Sequence, residues 1–262
     1  MDRTLPLLIP RIMVRAHTAA AVVSRRPQSS AGRRADRIGH NRLMRLIHEL
    51  EAEHELIDQV VGSFLGFATR VGCGDADLSA GAAYIRFFRL YAGDFHHARE
   101  EGVLFPALVE QVNLPADRGP IAVLTAEHRR MSAVLGQIES LLEGGLHEDG
   151  SCGRLKAFAT EYGYALWHHI DAENSVLLPE AAERLRKRSV PELPTRAMTE
   201  AESDARRAGE ELVRCYPPIS DRDVIRGDGC VLCSAFADTC RGLEAEWWTE
   251  SEWEELDDHL SS

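Results

Sequence analysis

The sequence predicts an all-α protein: an antiparallel four-helix bundle with a basic N-terminal extension and an irregular acidic C-terminal region. Three observations predict it. Between residues 37 and 188, apolar residues recur at spacings of three and four, the period of amphipathic helices. Short Gly- and Pro-bearing loops divide that stretch into four long helices, for which an antiparallel bundle is the default packing. The first half of the pattern then repeats in the second at an offset of 73–74 residues, as two copies of one helix hairpin.

Residues 1–36 are rich in Arg, Ala, Ser and Pro, and their apolar runs are interrupted by Pro6, Pro10 and Arg15. A secretory signal needs a continuous apolar stretch and a small-residue cleavage site. The segment reads instead as a disordered extension; its Arg-rich, acid-poor character also has something of an organellar transit peptide. Leu43, Leu46, Ile47, Leu50, Ile57, Val60, Val61, Phe64 and Leu65 mark the first helix, which Val71-Gly72-Cys73-Gly74-Asp75 breaks. The second runs from about Ser79 to Gln111 and carries Ile85, Phe88, Tyr91, Phe95, Leu104 and Leu108. After the loop through Pro115 and Gly119-Pro120, a third covers 121–143 and ends at Gly144-Gly145; a fourth covers 154–187. Pro106 and Pro179 fall inside the second and fourth helices and are expected to kink or end them. Residues 189–262 are fragmented by Pro191, Pro194, Pro217 and Pro218. They predict one helix at 198–214, then a Cys-containing loop and an acidic end bearing Trp247, Trp248 and Trp253.

The 262 residues carry 30 basic and 42 acidic side chains, a net charge of -12. Backbone phosphates would be repelled by that balance, so nucleic acid is not an expected partner. No membrane is expected either, since no run of about 18 apolar residues exists. The charge is polarised along the chain: residues 1–45 hold ten Arg and only Asp2 and Asp36, and eight acids follow Arg241. Six irregularly spaced Cys in a chain of this length do not form a disulfide scaffold, which points to a reducing, cytoplasmic setting.

The repeat selects the residues that carry chemistry. Glu53-His54 recurs as Glu127-His128, and His96-x-x-x-Glu100-x-x-Val103-Leu104-Phe105-Pro106 recurs as His169-x-x-x-Glu173-x-x-Val176-Leu177-Leu178-Pro179. In an α-helix only one member of each adjacent pair, His96-His97 and His168-His169, can face the core. The counterpart of His97 with Glu101 is Ile170 with Asn174, which is no metal site, whereas His96 with Glu100 maps onto His169 with Glu173. His97 and His168 are therefore expected to flank the site. Four-residue spacing puts His and Glu on one face, one turn apart, so His54, His96, Glu100, His128, His169 and Glu173 can converge. Two buried Glu without a partner cost several kcal/mol each and call for a cation. Mixed nitrogen and oxygen donors with open positions suit iron, or else manganese, better than structural zinc.

These motifs resemble the hemerythrin-like (HHE cation-binding) family over about residues 37–187. The resemblance implies a four-helix bundle holding two iron ions as a non-haem di-iron centre, bridged by two carboxylates, with His54, His96, Glu100, His128, His169 and Glu173 as its metal ligands. It implies a protein that binds O2 or NO for sensing or for protection against oxidative or nitrosative stress; the same centre could serve an enzyme reducing nitric oxide or peroxide, or iron delivery. Oxygen-carrying members have a fifth His one turn from the third-helix His, where this chain has Leu124 and Ser132. Four His and two Glu look more like the branch that includes repair-of-iron-centres proteins. Those proteins also carry an N-terminal Cys pair, which residues 1–40 do not match.

Of the remaining features, Cys230-x-x-Cys233 with Cys215 and Cys240 could form a small zinc or redox site, but a single paired motif reads as ordinary loop thiols. Tyr91 and Tyr164, related by the repeat, could line the metal pocket or simply belong to the core. The acidic, Trp-containing C-terminal tail could dock a protein partner; a solvated acidic face is the plainer expectation.

Overall fold

The computed structural model describes residues 30–72, 77–147, 149–190 and 192–219, with side chains from Arg45 onward. Every regular element among them is helical. Helix α1 spans Ser30–Gly72, so its first two turns occupy the end of the segment that the sequence assigns to an extension. The second rod is composite. It opens as α2, Ser79–Arg86, passes through a π-helical stretch, Phe87–His97, and a π-helical turn, Glu100–Leu104, and closes as α3, Phe105–Val112. Helix α4 spans Gly119–Glu143. The fourth rod repeats the composite design: α5, Ser151–Ala172, a π-helical turn, Glu173–Leu177, and α6, Leu178–Lys187.

Pro106 and Pro179 do not end their rods. Each sits at the start of the α-helix that follows a π-helical turn, where a missing N–H costs least. The wide turn just upstream absorbs the interruption, and it falls at Glu100 and at Glu173. Asn113 ends α3 in the left-handed conformation at φ 61°, with the Leu114 N–H donating to the Leu108 carbonyl at 3.1 Å, a helix stop that Asn tolerates.

The rods bury two apolar clusters. One contains Ile57, Val61, Phe64, Phe88, Phe95, Met131, Leu135, Leu166 and Ile170; the other contains Leu46, Leu50, Leu104, Phe105, Leu108, Leu124, Ala172 and Leu178. Each fully buried Leu, Ile or Phe is worth roughly 1.5–3 kcal/mol. A polar layer separates the clusters at the level of His54, His96, Glu100, His128, His169 and Glu173, all of them buried.

A further helix, α7, Glu200–Cys215, packs on the π-helical stretch and on α1 and α2. Its N-terminus carries a capping box between Thr199 and Glu202. Arg196 ties that end down by donating to both Glu202 oxygens at 2.7 Å and to the Asp94 carbonyl at 2.7 Å. Gly209 lies against Phe87 so closely that an added Cβ would come within 2.4 Å of the ring. No helix among the described residues is long and apolar enough to cross a membrane. Cys230, Cys233, Cys240 and the Trp-containing acidic end lie outside the described residues, as do residues 1–29.

Candidate metal centre

The six sequence-selected side chains meet in the polar layer. His54 comes from α1, His96 and Glu100 from the second rod, His128 from α4, and His169 and Glu173 from the fourth rod. The two carboxylates lie between the imidazoles. Glu100 Oε1 is 3.2 Å from His96 Nε2 and 3.9 Å from His54 Nε2, while its Oε2 is 3.6 Å from His128 Nε2. Glu173 Oε2 is 3.2 Å from His54 Nε2, and its Oε1 is 3.4 Å from His169 Nε2. Each carboxylate therefore turns one oxygen toward each half of the cluster.

All four histidines point Nε2 inward because Nδ1 is engaged from behind. His96 Nδ1 pairs with Glu53 at 2.9 Å and His169 Nδ1 with Glu127 at 2.7 Å. His128 Nδ1 pairs with Glu101 and His54 Nδ1 with Asn174, both at 2.7 Å. These partners obey the repeat: Glu53 and Glu127 each hold the histidine of the neighbouring rod in their own half, whereas Glu101 and Asn174 reach across to the other half. A histidine whose outer nitrogen donates to an acceptor is fixed in the tautomer that ligates through the other nitrogen. The sequence had offered Glu53-His54 and Glu127-His128 as signatures without revealing what the Glu does. It also passed over Glu101 and Asn174 as non-ligands; they act one layer further out.

Most of the inward donor atoms of the cage have nothing to bond. His54 Nε2, His96 Nε2 and all four oxygens of Glu100 and Glu173 are buried without a hydrogen-bond partner. His128 Nε2 and His169 Nε2 lie 2.9 Å apart, about the separation of two ligands at a right angle around an ion with ~2.1 Å bonds. Burial and the neighbouring His96 push the His54 pKa down to about 3. Burial and His169 push His128 down to about 4. Burial also opposes charge on His96, but Glu100 and Glu53 outweigh it and lift that imidazole to about 9. Burial and the charge of Glu100 drive Glu173 well above the usual carboxylate range, whereas His96 overcomes burial at Glu100 and holds it well below. As protein groups alone the cage shares protons unevenly; cations at its centre would satisfy every inward atom at once.

The ligand atoms fall into two sets, each within 4.8 Å: His54, His96, Glu100 and Glu173 form one, and His97, Glu100, His128 and His169 form the other. His97, expected at the flank, thus reaches the centre alongside His96. His168 is half-buried and belongs to neither set. Tyr91 sits in the aromatic row with Phe87 and Phe95, and burial raises its hydroxyl to about 12. Its repeat partner Tyr164 is exposed at the surface, stacked on Trp167.

Comparison with known proteins agrees with this geometry. The chain is 34% identical over 91 residues to the iron-sulfur cluster repair protein YtfE of Edwardsiella ictaluri, covering 34% of this chain and 41% of that protein. It is 33% identical over 89 residues to YtfE of Yersinia pestis, covering 33% and 40%. The match thus spans about two fifths of those relatives' length. No solved structure matches the chain. The hemerythrin HHE cation binding domain matches residues 39–181, more than half of the sequence and the whole of the cage. The chain belongs to the hemerythrin HHE cation binding domain family.

Proposed function

We propose that the cage holds a non-haem di-iron centre, in a bundle of two pseudo-symmetric antiparallel hairpins, and that the protein binds O2 or NO there in sensing or in protection against oxidative or nitrosative stress. The observation that carries this reading is the convergence of four imidazoles, each engaged from behind at Nδ1, on carboxylate oxygens of Glu100 and Glu173 that, like His54 Nε2 and His96 Nε2, are buried without a hydrogen-bond partner. Nitrogen and oxygen donors in that number favour iron, with manganese the nearest substitute. When bound, the metal supplies open coordination positions for a diatomic ligand; the chain orients the imidazoles and keeps water out by the two apolar clusters. The setting is taken as cytoplasmic, with neither nucleic acid nor membrane as partner.

A second reading, iron handling, is favoured by the iron-sulfur cluster repair activity named for the YtfE relatives. A di-iron enzyme reducing nitric oxide or peroxide is a third. Rapid mixing of the ferrous protein with O2, NO and peroxide separates them. A persistent spectral change on one gas supports binding, repeated consumption supports the enzyme, and release of iron to a chelator supports handling. A ferrous protein inert to all three and retaining its iron would contradict the favoured reading.

A further inference from the structure

Arg99 is a buried cation that the repeated fold does not require. Its counterpart 73 residues on is Ala172, and its partner Glu49 has Val123 as counterpart 74 residues on; both pack in an apolar cluster. The second hairpin thus builds the same composite rod and the same Glu127–His169 pair with no charge at these two places. In the first hairpin the buried Arg99 guanidinium donates through Nη1 to Glu49 at 3.0 Å and through Nη2 to Glu53, and its Nε is left without a partner. A buried ion pair seldom adds stability over apolar side chains of similar volume, so packing alone gives no reason for this one.

The ion pair leads inward to the cage and outward to α7. Glu53 Oε1 accepts from Arg99 while its Oε2 pairs with His96 Nδ1 at 2.9 Å, so one carboxylate joins the guanidinium to a cage imidazole. On the outer side, the ring of Phe95 has the Arg99 guanidinium 4.2 Å and the Arg196 guanidinium 4.9 Å from its centroid. Arg196 is held in turn by Glu202 in the first turn of α7 and by the Asp94 carbonyl. Helix α7 packs on α1, α2 and the π-helical stretch, all in the first hairpin.

We propose that Arg99 is a positioning residue for the cage: it fixes the Glu53 carboxylate that aims His96, and α7, through Arg196 and Phe95, holds that ion pair in place and away from water. This rests on the reading of the cage as a metal centre. The planar fork of a guanidinium can grip Glu49 and Glu53 at once, which leaves Glu53 Oε2 for the imidazole. Its charge also acts through low-dielectric surroundings, where Coulomb interactions carry further than in water. A cation there opposes the gain of positive charge in the cage, and the Glu49 carboxylate favours it. The seating of α7 is thereby felt at His96.

The test uses the full chain, stripped of metal and reloaded anaerobically, with ferrous iron for a mediated redox titration and with Co2+ for proton NMR of the imidazole N–H groups. Arg99→Met should lower the midpoint potential, Glu49→Gln should raise it, and Arg99→Lys, which keeps the charge, should stay near wild type. In the cobalt protein the His96 Nδ1–H, assigned as the signal that Glu53→Gln moves, should exchange with D2O faster in Arg99→Met. It should also exchange faster in Gly209→Val, which unseats α7 without altering any charge. A folded Arg99→Met with wild-type potential and exchange overturns the role of Arg99 while leaving the metal centre intact. Should Arg99→Met fail to fold, Glu49→Gln decides, and a potential that does not rise overturns the proposal. Unchanged exchange in Gly209→Val overturns the part given to α7. A wild type that takes up neither cobalt nor iron overturns the centre itself, and the proposal with it.

Discussion

Glu101 and Asn174, 73 residues apart in sequence, do the same work in opposite halves of the protein: each accepts from the Nδ1 of a histidine across the bundle, His128 and His54 respectively, at 2.7 Å. The cage is thus symmetric in architecture and asymmetric in charge. Replacing Asn174 with Asp should bring the two halves closer to equivalence and raise metal affinity on the His54 side. Chelator competition with Asn174→Asp and Glu101→Gln should move the two affinities in opposite directions; no change in either would mean that these partners do not tune the ligands.

Glu53 and Glu127 orient His96 and His169 without reaching the centre. Loss of such a partner commonly costs 10–100-fold in metal affinity, so Glu53→Gln and Glu127→Gln should each lower affinity within about that range. Chelator competition measures it. Metal content as low as that of His96→Ala would instead place these residues among the direct ligands.

Of the two buried carboxylates, Glu173 is the one that is a liability without a cation. Glu173 is held well above the usual carboxylate range by burial and by Glu100, so its charge weakens the metal-free fold as pH rises from the unfolded-state value. Glu173→Gln should therefore stabilise the metal-free protein at neutral pH by roughly 1–3 kcal/mol while weakening metal binding. Urea unfolding in the presence of a chelator reads this directly, and a destabilised metal-free variant would mean that Glu173 already has a partner in that state.

Much of this was legible in the chain because the helix period and the 73–74-residue offset are one-dimensional signals. Both survive projection onto a sequence: Leu46, Leu50, Phe64 and Leu104 announce their burial, and the repeat picks His96 and His169 out of eleven histidines, each with its partner, Glu100 or Glu173. What escaped depends on backbone geometry. A helical wheel assumes a regular α-helix, which sends His97 away when His96 faces inward; the π-helical register is invisible to that assumption. The Nδ1 acceptors escaped because their contacts run between rods, over separations such as 120 residues for His54 and Asn174. Helix α7 was foreseen near its observed bounds, but not its docking on the π-helical stretch.

That docking makes its own prediction. Arg196, with the Thr199 backbone N–H, depresses the Glu202 pKa to about 2. A depressed carboxylate contributes stability above its unfolded value, near 4.5, and loses it as pH falls toward 2. Wild type should lose stability over that window more steeply than Glu202→Gln, and Thr199→Ala should cost about 1 kcal/mol at neutral pH. Gly209→Val, which must displace Phe87, should expose the face covered by α7 and increase proteolysis of the segment after Lys187. Parallel acid-unfolding curves for wild type and Glu202→Gln would refute the role given to this ion pair.

The most direct measurement is the iron content of the full chain reconstituted anaerobically with ferrous iron, for wild type beside Glu100→Gln, whose carboxylate faces both ligand sets. The account predicts two iron ions per wild-type chain, one for each set, and a marked loss in Glu100→Gln with its helical content preserved. A wild type that retains no iron, or a Glu100→Gln protein that keeps both ions as firmly, would contradict it.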